Sequence, residues 1–282
     1  MNRLLTLGSL FDGSGGFPLA GLLAGIVPVW SSEIEPFAIR VTEKRLPQVQ
    51  HFGNISGLHG AKLPPVDIIT FGSPCQDMSI AGKRTGLNGS RSSLFHEAIR
   101  IIREMRCASN GKYPRYIVWE NVPGAFSSNC GEDFRCVLEA ICSVKDSSIS
   151  IPRPAGKWTK AGEVLAESYF LAWRVLDAQY WGVPQRRKRI FLVADFDGAS
   201  AGKILFESEG LSGYSAESLR AWQRTAGSAA DGFGTAGLCL CDQGGERIDI
   251  LKERTATLRA EAHHPPCVLE NHPADSRLQI SE

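Results

Sequence analysis

The sequence lacks long apolar runs, paired cysteines and an excess of charge of one sign. No stretch approaches the ~18 consecutive apolar residues that a membrane span needs, and the first apolar run, "LLTLGSLF", is too short for a signal peptide. The net charge of +1 gives no general case for nucleic-acid binding, so such binding must rest on a local basic patch. We therefore expect a cytoplasmic protein with no membrane association.

The eight cysteines indicate neither a zinc site nor a disulfide framework. No two of them have the CxxC spacing of a zinc ribbon, and Cys239 and Cys241 have no second pair nearby. Hydrophobic residues make up 43% of the chain, which is enough for a full core without cross-links. Reduced thiols and no bound metal are expected.

Short apolar runs alternate with amphipathic segments over the first two thirds of the chain. They predict strands at 4–11, 27–33, 66–72 and 115–122, and helices at 16–25, 35–46, 92–106 and 133–144. Residues 169–196 predict two further strands joined by a tight basic turn at Pro184–Lys188. Near-continuous Val/Ile runs between helices are typical of parallel sheets covered on both faces. The prediction is an α/β fold with a doubly wound, mostly parallel sheet.

Composition changes after Asp197, where Gly, Ser and Ala become frequent and apolar runs become few. This change predicts a first domain at 1–197 and a smaller, irregular region at 198–282.

The stretch "FDGSGGF" predicts a glycine turn between a strand and a helix. Gly13, Gly15 and Gly16 would let the backbone approach a ligand beside the N–H groups of the helix. Glu33 ends the next strand about 20 residues on, the offset of acids that bind ribose hydroxyls. An ordinary turn and a solvated glutamate remain the alternatives.

Cys75 follows a buried strand in "DIITFGSPCQ". Pro74 fixes the backbone ahead of the thiol, and Lys83, Arg84 and Arg91 could favour a thiolate. These features are typical of a nucleophile. The alternative is an inert buried cysteine.

Two later segments carry further polar candidates. Glu120 ends the strand of "YIVWENVPG", where a carboxyl near apolar walls could have a raised pKa and hold a proton. Arg187 and Arg189 of "QRRKR" are two residues apart, so on a strand both would point at one site. The alternative for this segment is a solvated charged loop.

Taken in order, these stretches resemble the DNA (cytosine-5) methyltransferase family. The matching pieces are "FDGSGGF", "SSEIEPFA", "GNI", "GSPCQDMSIAG", "WENVPG" and "PQRRKRIFLV", over roughly residues 5–195. The resemblance implies a Rossmann-like methyltransferase fold that uses S-adenosylmethionine, with residues 198–282 forming a partial target-recognition region and the start of a closing segment. It also implies transfer of a methyl group to C5 of cytosine in a flipped base of double-stranded DNA.

The resemblance assigns roles to single residues. Cys75 would attack C6, Glu120 would hold N3 and the amine, and Arg187 and Arg189 would be active-site arginines. The implied cofactor contacts are Phe11, Gly13, Ser14, Gly15, Gly16, Glu33, Ile34, Asn54, Ile55, Pro74 and Leu94. Among them, Glu33 would take the ribose hydroxyls and Ile34 would pack on adenine.

The chain departs from the family pattern at two places. Asn54 stands where the family usually has an acid that accepts from the adenine amine. The Gly-Asn motif that closes the family's cofactor site is not found before the end at "ENHPADSRLQISE". The sequence is therefore expected to be C-terminally truncated relative to the family.

This truncation keeps other functions open. One is an inactive remnant that binds only DNA or cofactor, and another is an RNA cytosine-5 methyltransferase. An active enzyme would belong to a bacterial or phage restriction-modification system and act as a monomer. Such a system could include a cognate restriction endonuclease as a partner.

Overall fold

The computed structural model describes residues 3–73, 94–181, 185–206, 238–242, 248–252, 267–271 and 278–281. It divides into two compact units. The first comprises Met1–Val175 and Arg189–Phe206, and the second comprises Leu176–Lys188 and Glu207–Glu282.

The first unit is built on an eight-stranded sheet with the order β3-β2-β1-β4-β5-β8-β7-β6. Neighbouring strands from β3 to β5 pair in parallel, whereas β8 runs antiparallel to β5 and β6 runs antiparallel to β7. The bounds of the strands are β1 Thr6–Leu10, β2 Val27–Ser32, β3 Gln50–His51, β4 Ile68–Phe71, β5 Tyr116–Asn121, β6 Ala161–Leu165, β7 Phe170–Asp177 and β8 Lys188–Asp195. This mixed sheet, together with its helices, is the predicted doubly wound α/β architecture.

Five α-helices connect or follow these strands. They are α1 Gly16–Leu23, α2 Pro36–Arg45, α3 Leu94–Ala108, α4 Glu132–Cys142 and α5 Ala201–Leu205. Apolar residues of α3 and α4 join the main core, which includes Trp119 and Leu192, while Ala201 of α5 packs with Val193 and Ala172 in a smaller cluster. Leu192 and Val193 are consecutive residues of β8, so their side chains point to opposite faces of the sheet and each joins a different cluster. None of the helices in the described ranges combines the length and apolar character that a membrane span requires.

The strand order reverses between β1 and β4, and this reversal positions the candidate site. The chain leaves β1 towards β2 on one side and later returns to β4 on the other. Crevices form at the carboxyl ends of strands at such a switch point, and ligands bind there in open α/β sheets. Gly8 on β1 makes this packing tight, since an added Cβ would lie 2.2 Å from Cζ2 of the buried Trp30.

One predicted connection is wrong. The strands β7 and β8 are not joined by a tight turn at Pro184–Lys188, because β7 ends at Asp177 and β8 begins only at Lys188. A 3-10 turn at Ala178–Tyr180 follows β7, with the Asp177 carboxylate accepting from the Gln179 N–H. The run of basic residues suggested a turn, but part of it starts the strand.

The second unit contains four short strands. They are β9 Leu238–Asp242, β10 Ile248–Lys252, β11 Cys267–Asn271 and β12 Leu278–Ser281. They form an antiparallel sheet with the order β10-β9-β11-β12. Their Gly- and Ser-rich surroundings did not indicate these strands in the sequence.

Candidate active site

The glycine turn after β1 has the backbone geometry of a ligand cradle. Phe11 and Gly13 both have φ 55°, and Gly15 has φ 87° at the N-cap of α1. Positive φ is favoured at glycine, which accounts for two of these three positions. An added Cβ at Gly13 or Gly16 would meet nothing within 4 Å, so both face open space. Ser14 between them is exposed.

Glu33, just after β2, is joined to this turn. Its Oε2 accepts from the Gly13 N–H at 2.7 Å, and its Oε1 accepts from the N–H groups of Ile34 and Glu35 at 2.7 and 3.0 Å. A carboxylate has about four acceptor positions in total, and three are used, so a position remains on Oε2 for a hydroxyl donor. The parallel pairing of β1 and β2 brings the two strand ends together, as the sequence predicts.

Asp12 is a functional candidate that the sequence analysis did not include. Its side chain is 6% exposed, and its Oδ1 accepts from the Ser9 hydroxyl at 2.6 Å. Its Oδ2 is buried and has no hydrogen-bond partner within the described part of the chain. Burial raises the pKa of Asp12 to about 6; the Ser9 bond opposes the shift and the Glu33 charge adds to it. The acid inside "FDGSGG" is the signal that could have identified it.

The remaining predicted cofactor residues differ in their exposure. Ile34 is 67% exposed, and nearby Phe37 is 64% exposed, so apolar surface is available beside Glu33. Asn54 is exposed and its Oδ1 accepts from the Ser56 N–H at 3.0 Å, while Ile55 is buried in the core. Leu94, the first residue of α3, is half-buried. Pro74 lies outside the described residues.

A second group of polar residues lies at the ends of β4, β5 and β8. Glu120 Oε1 lies 2.9 Å from Arg189 Nε, and their side chains are 23% and 19% exposed. An added Cβ on Gly72 would lie 3.0 Å from Glu120 Oε2, so β4 approaches the carboxylate through a glycine. The structure thus brings Glu120 and Arg189 together. The sequence analysis expected apolar walls around the Glu120 carboxyl, whereas the structure places the Arg189 guanidinium beside it.

Ser73, the last described residue before Cys75, is held by two residues of β5. It is buried, its hydroxyl accepts from Trp119 Nε1 at 3.4 Å, and its carbonyl accepts from Asn121 Nδ2 at 3.4 Å. Trp119 and Asn121 flank Glu120 in the sequence, so β5 holds Ser73 through the two residues next to Glu120. Cys75 itself lies outside the described residues.

Arg187 belongs to the second unit and is half-buried. Its backbone N–H donates to Asp177 Oδ1 at 3.1 Å, and its carbonyl accepts from Ala178 N–H at 2.9 Å. The predicted pairing of Arg187 with Arg189 at one site stays a prediction. Across the described ranges, no cluster of three or more His, Cys, Asp or Glu side chains could hold a metal ion.

Several known proteins are similar to this chain. The Escherichia phage P1 protein named DNA N-6-adenine-methyltransferase is 35% identical over 236 residues, covering 73% of this chain and 31% of its own. The Neisseria gonorrhoeae Type II methyltransferase M.NgoBV is 33% identical over 164 residues, with 58% and 33% covered. The solved structure of S. pombe Dnmt2 methyltransferase has a TM-score of 0.48 and 22% identity, covering 73% of this chain and 57% of that chain.

The two curated relatives are much longer than this chain, which spans about a third of their length. The profile of the family described as C-5 cytosine-specific DNA methylase matches residues 5–145 and 159–204. These ranges contain the glycine turn, Glu33, Glu120 and Arg189, and they cover about two thirds of the sequence. The chain belongs to the C-5 cytosine-specific DNA methylase family.

Proposed function

We propose that this chain transfers a methyl group from S-adenosylmethionine to C5 of cytosine in double-stranded DNA. The observation that carries the proposal is the Glu120–Arg189 pair, 2.9 Å apart, beside Gly72. A carboxylate next to a guanidinium suits the edge of cytosine, which offers an amine donor, a ring nitrogen and a carbonyl acceptor in a row. Membership of the family supports the same reaction.

The residues of the glycine turn fit the cofactor. Gly13 and Gly16 leave open space, the Glu33 carboxylate lies at the turn, and Ile34 offers exposed apolar surface for a purine. The buried Asp12 oxygen without a partner suits a positively charged ligand. When bound, S-adenosylmethionine supplies an electrophilic methyl group on its sulfonium. In this proposal Glu33 takes the ribose hydroxyls, and the glycine turn holds the amino-acid part.

Glu120 and Arg189 would bind the substrate base. C5 and C6 of cytosine are hidden in stacked duplex DNA, so the base has to flip out before a side chain can reach them. Arg189 would donate to O2, while Glu120 would accept from the exocyclic amine and share a proton with N3. The existing contact between the two side chains pre-positions them, which lowers the cost of ordering them around the base.

The proposed covalent step starts at the thiolate of Cys75. Its sulfur forms a bond to C6, the electron pair of the C5–C6 double bond moves to C5, and Glu120 gives a proton to N3. After C5 carries the methyl group, a base removes the C5 proton, and the electron pair of that C–H bond re-forms the C5–C6 double bond as the S–C6 bond breaks and the Cys75 thiolate leaves. N3 then returns its proton to Glu120.

The anchoring of Ser73 supports the delivery of Cys75 to this base. Trp119 and Asn121 hold Ser73 beside Glu120. Two residues of chain span at most ~7 Å between Cα atoms, so the Cα of Cys75 stays within that distance of the Cα of Ser73.

Duplex DNA that contains 5-fluorocytosine in place of cytosine tests the proposal. Because fluorine cannot leave C5 as a proton would, the second half of the reaction stops, and we expect a covalent complex that forms only with S-adenosylmethionine. Proteolysis and mass spectrometry should map the nucleotide to Cys75. The matched duplex with ordinary cytosine should yield 5-methylcytosine and no lasting complex. A random-sequence pool avoids the need to know the target site.

Other outcomes of this experiment would contradict the proposal. Methylation of adenine N6 is a second candidate, favoured by the name of the phage P1 relative, and nucleoside analysis would then find N6-methyladenine. Binding of cofactor without methyl incorporation would indicate a remnant. Preference for transfer RNA in competition with duplex DNA would indicate an RNA enzyme. Partnership with a restriction endonuclease stays a prediction.

Asn54→Asp is expected to tighten cofactor binding by about five-fold, because a charged acceptor forms a stronger hydrogen bond than an amide. The Oδ1 of Asn54 already caps the turn at Ile55–Gly57 by accepting from the Ser56 N–H. An aspartate could keep this cap and offer its second oxygen to the adenine amine. Calorimetric titration with S-adenosylmethionine measures the gain. Asn129→Asp, at an exposed position before α4, adds the same charge as a control. Equal affinities for wild type and Asn54→Asp would refute the prediction.

A further inference from the structure

Asp12 is a buried acid in the glycine turn to which the family resemblance gives no role. It directly precedes Gly13, and its backbone N–H donates to the Ser32 carbonyl at 3.1 Å, which ties it to the end of β2. Its carboxyl receives one hydrogen bond, from Ser9, whereas Oδ2 is buried without a partner in the described part of the chain. A buried carboxylate oxygen without a donor is costly. Such an arrangement is favoured where a cation completes the site.

A second carboxylate lies on the other side of the turn. Glu33 accepts from the N–H of Gly13, the residue next to Asp12, and its charge raises the pKa of Asp12 in addition to the effect of burial. Across Glu33, His51 of β3 has its Nε2 3.2 Å from the Glu33 carbonyl. Among the described residues, the ionisable side chains that these contacts bring to the turn are therefore two acids and one histidine.

We propose that Asp12 makes the cofactor site select S-adenosylmethionine over S-adenosylhomocysteine by placing a second negative charge in the glycine turn. This inference rests on the proposed function. The two ligands share the adenosine, the ammonium and the carboxylate, and they differ by one methyl group and the sulfonium charge. Hydrogen bonds to the shared groups cannot distinguish them, whereas an additional carboxylate attracts the ligand that carries the sulfonium charge more strongly than the ligand that lacks it. The product would then leave the site more readily than the substrate cofactor.

The same charge makes the selectivity depend on pH. Burial raises the pKa of Asp12 to about 6, so its charge appears as the pH rises through that value. Binding of the cation favours the ionised carboxylate, and by linkage a proton is released on binding near this pH. Affinity for S-adenosylmethionine should therefore increase from about pH 5 to about pH 7.5, while affinity for S-adenosylhomocysteine stays nearly constant.

Isothermal titration calorimetry of the full chain with each ligand tests the inference. We expect S-adenosylmethionine to bind about ten-fold more tightly at the higher pH and S-adenosylhomocysteine to change less than about two-fold. Asp12→Asn keeps the shape of the side chain and removes the charge. It should weaken S-adenosylmethionine binding about ten-fold at the higher pH, leave S-adenosylhomocysteine within about two-fold, and remove the pH dependence.

Asp133→Asn is a matched control. Asp133 is 1% exposed, its Oδ2 accepts from Ser128 and its Oδ1 has no partner among the described residues, but it belongs to α4. Its replacement should change neither the ratio of the two affinities nor its pH dependence. A second variant, His51→Gln, removes the histidine that contacts the Glu33 carbonyl and keeps a polar side chain, so it tests whether His51 contributes.

Several results would overturn the inference. If Asp12→Asn weakens both ligands equally, Asp12 has a structural role only. If the pH dependence persists in Asp12→Asn and disappears in His51→Gln, the histidine is responsible. If Asp12→Asn does not fold, as judged by circular dichroism, a pH-independent affinity ratio in wild type decides against Asp12. Failure of wild type to bind either ligand would instead remove the proposed function itself.

Discussion

Replacing Glu120 by glutamine is expected to slow methyl transfer to cytosine by about 10²–10⁴-fold, the range that a positioned acid or base contributes. The amide can still face the exocyclic amine of the base, so substrate binding should change much less than the rate. It cannot give a proton to N3, so C6 remains a poor target for sulfur. It also replaces the carboxyl oxygen that faces Arg189 Nε at 2.9 Å, where the base carbonyl would bind.

Single-turnover methylation of a cytosine-containing duplex measures this effect, with cofactor and DNA affinities measured separately. Glu104→Gln is a matched control, because Glu104 is also 23% exposed and lies 2.9 Å from an arginine, Arg100 on α3. It should lose stability while keeping the methylation rate per folded molecule. A Glu120→Gln enzyme within three-fold of the wild-type rate, a margin of about 0.6 kcal/mol, would show that Glu120 is not the proton donor.

Replacing Asp195 by alanine should lower the free energy of unfolding by about 3–4 kcal/mol, the effect of removing a buried acceptor from several donors. Asp195 ends β8 with a fully buried side chain. Its oxygens accept from Arg115 Nε and Nη2 at 2.9 and 3.1 Å, from the hydroxyl and N–H of Ser200 at 2.5 and 3.2 Å, and from the Asp197 N–H at 3.2 Å. Alanine would leave all these donors without their acceptor.

The hydrogen bonds of Asp195 also stabilise the strand that carries Arg189. Asp195 pairs with Tyr116 in the register of β5 and β8, and the same ladder continues to Phe191 opposite Glu120. Loss of these hydrogen bonds should therefore loosen the strand that carries Arg189. Urea unfolding followed by circular dichroism measures the stability. Asp197→Ala is the control. Asp197 is 37% exposed, and its buried partner Arg106 keeps its bond to the Pro114 carbonyl, so the loss should be smaller, about 1–2 kcal/mol. Equal losses for the two variants would contradict the prediction.

Acid should remove the contribution of Asp195. Burial raises the pKa of Asp195, but the hydrogen bonds from Arg115, Ser200 and Asp197 outweigh it, so the pKa lies below its ordinary value of 3.8. Because the folded-state pKa is lowered, the stabilisation is fully present above the unfolded-state value and is lost as the pH falls through the folded-state value. The difference in stability between wild type and Asp195→Ala should therefore begin to shrink as the pH falls below about 4 and shrink further as the pH passes the lower folded-state pKa.

The sequence by itself determined the succession of elements in the first unit. The pattern of apolar residues predicts β1, α1, β2, α2, β4, α3, β5 and α4 to within a few residues, because the strands read as short apolar runs and the helices as amphipathic segments. The glycines of the turn, the acid after β2 and the order of the later motifs also identified the family. Such local and ordered features do not depend on which strands become neighbours.

The tertiary structure alone decided which distant side chains meet. Glu120 and Arg189 are far apart in the sequence, and their contact depends on the antiparallel pairing of β5 with β8, which no local pattern shows. The basic run before Arg189 resembled a turn, but cross-strand hydrogen bonds draw its last residues into β8. Asp12 shows the same limit, since its burial and its unpartnered oxygen arise only when β1 and β2 close around the glycine turn. Burial and charge proximity are properties of the packed sheet, so the chemistry of these groups could not be read from their order in the chain.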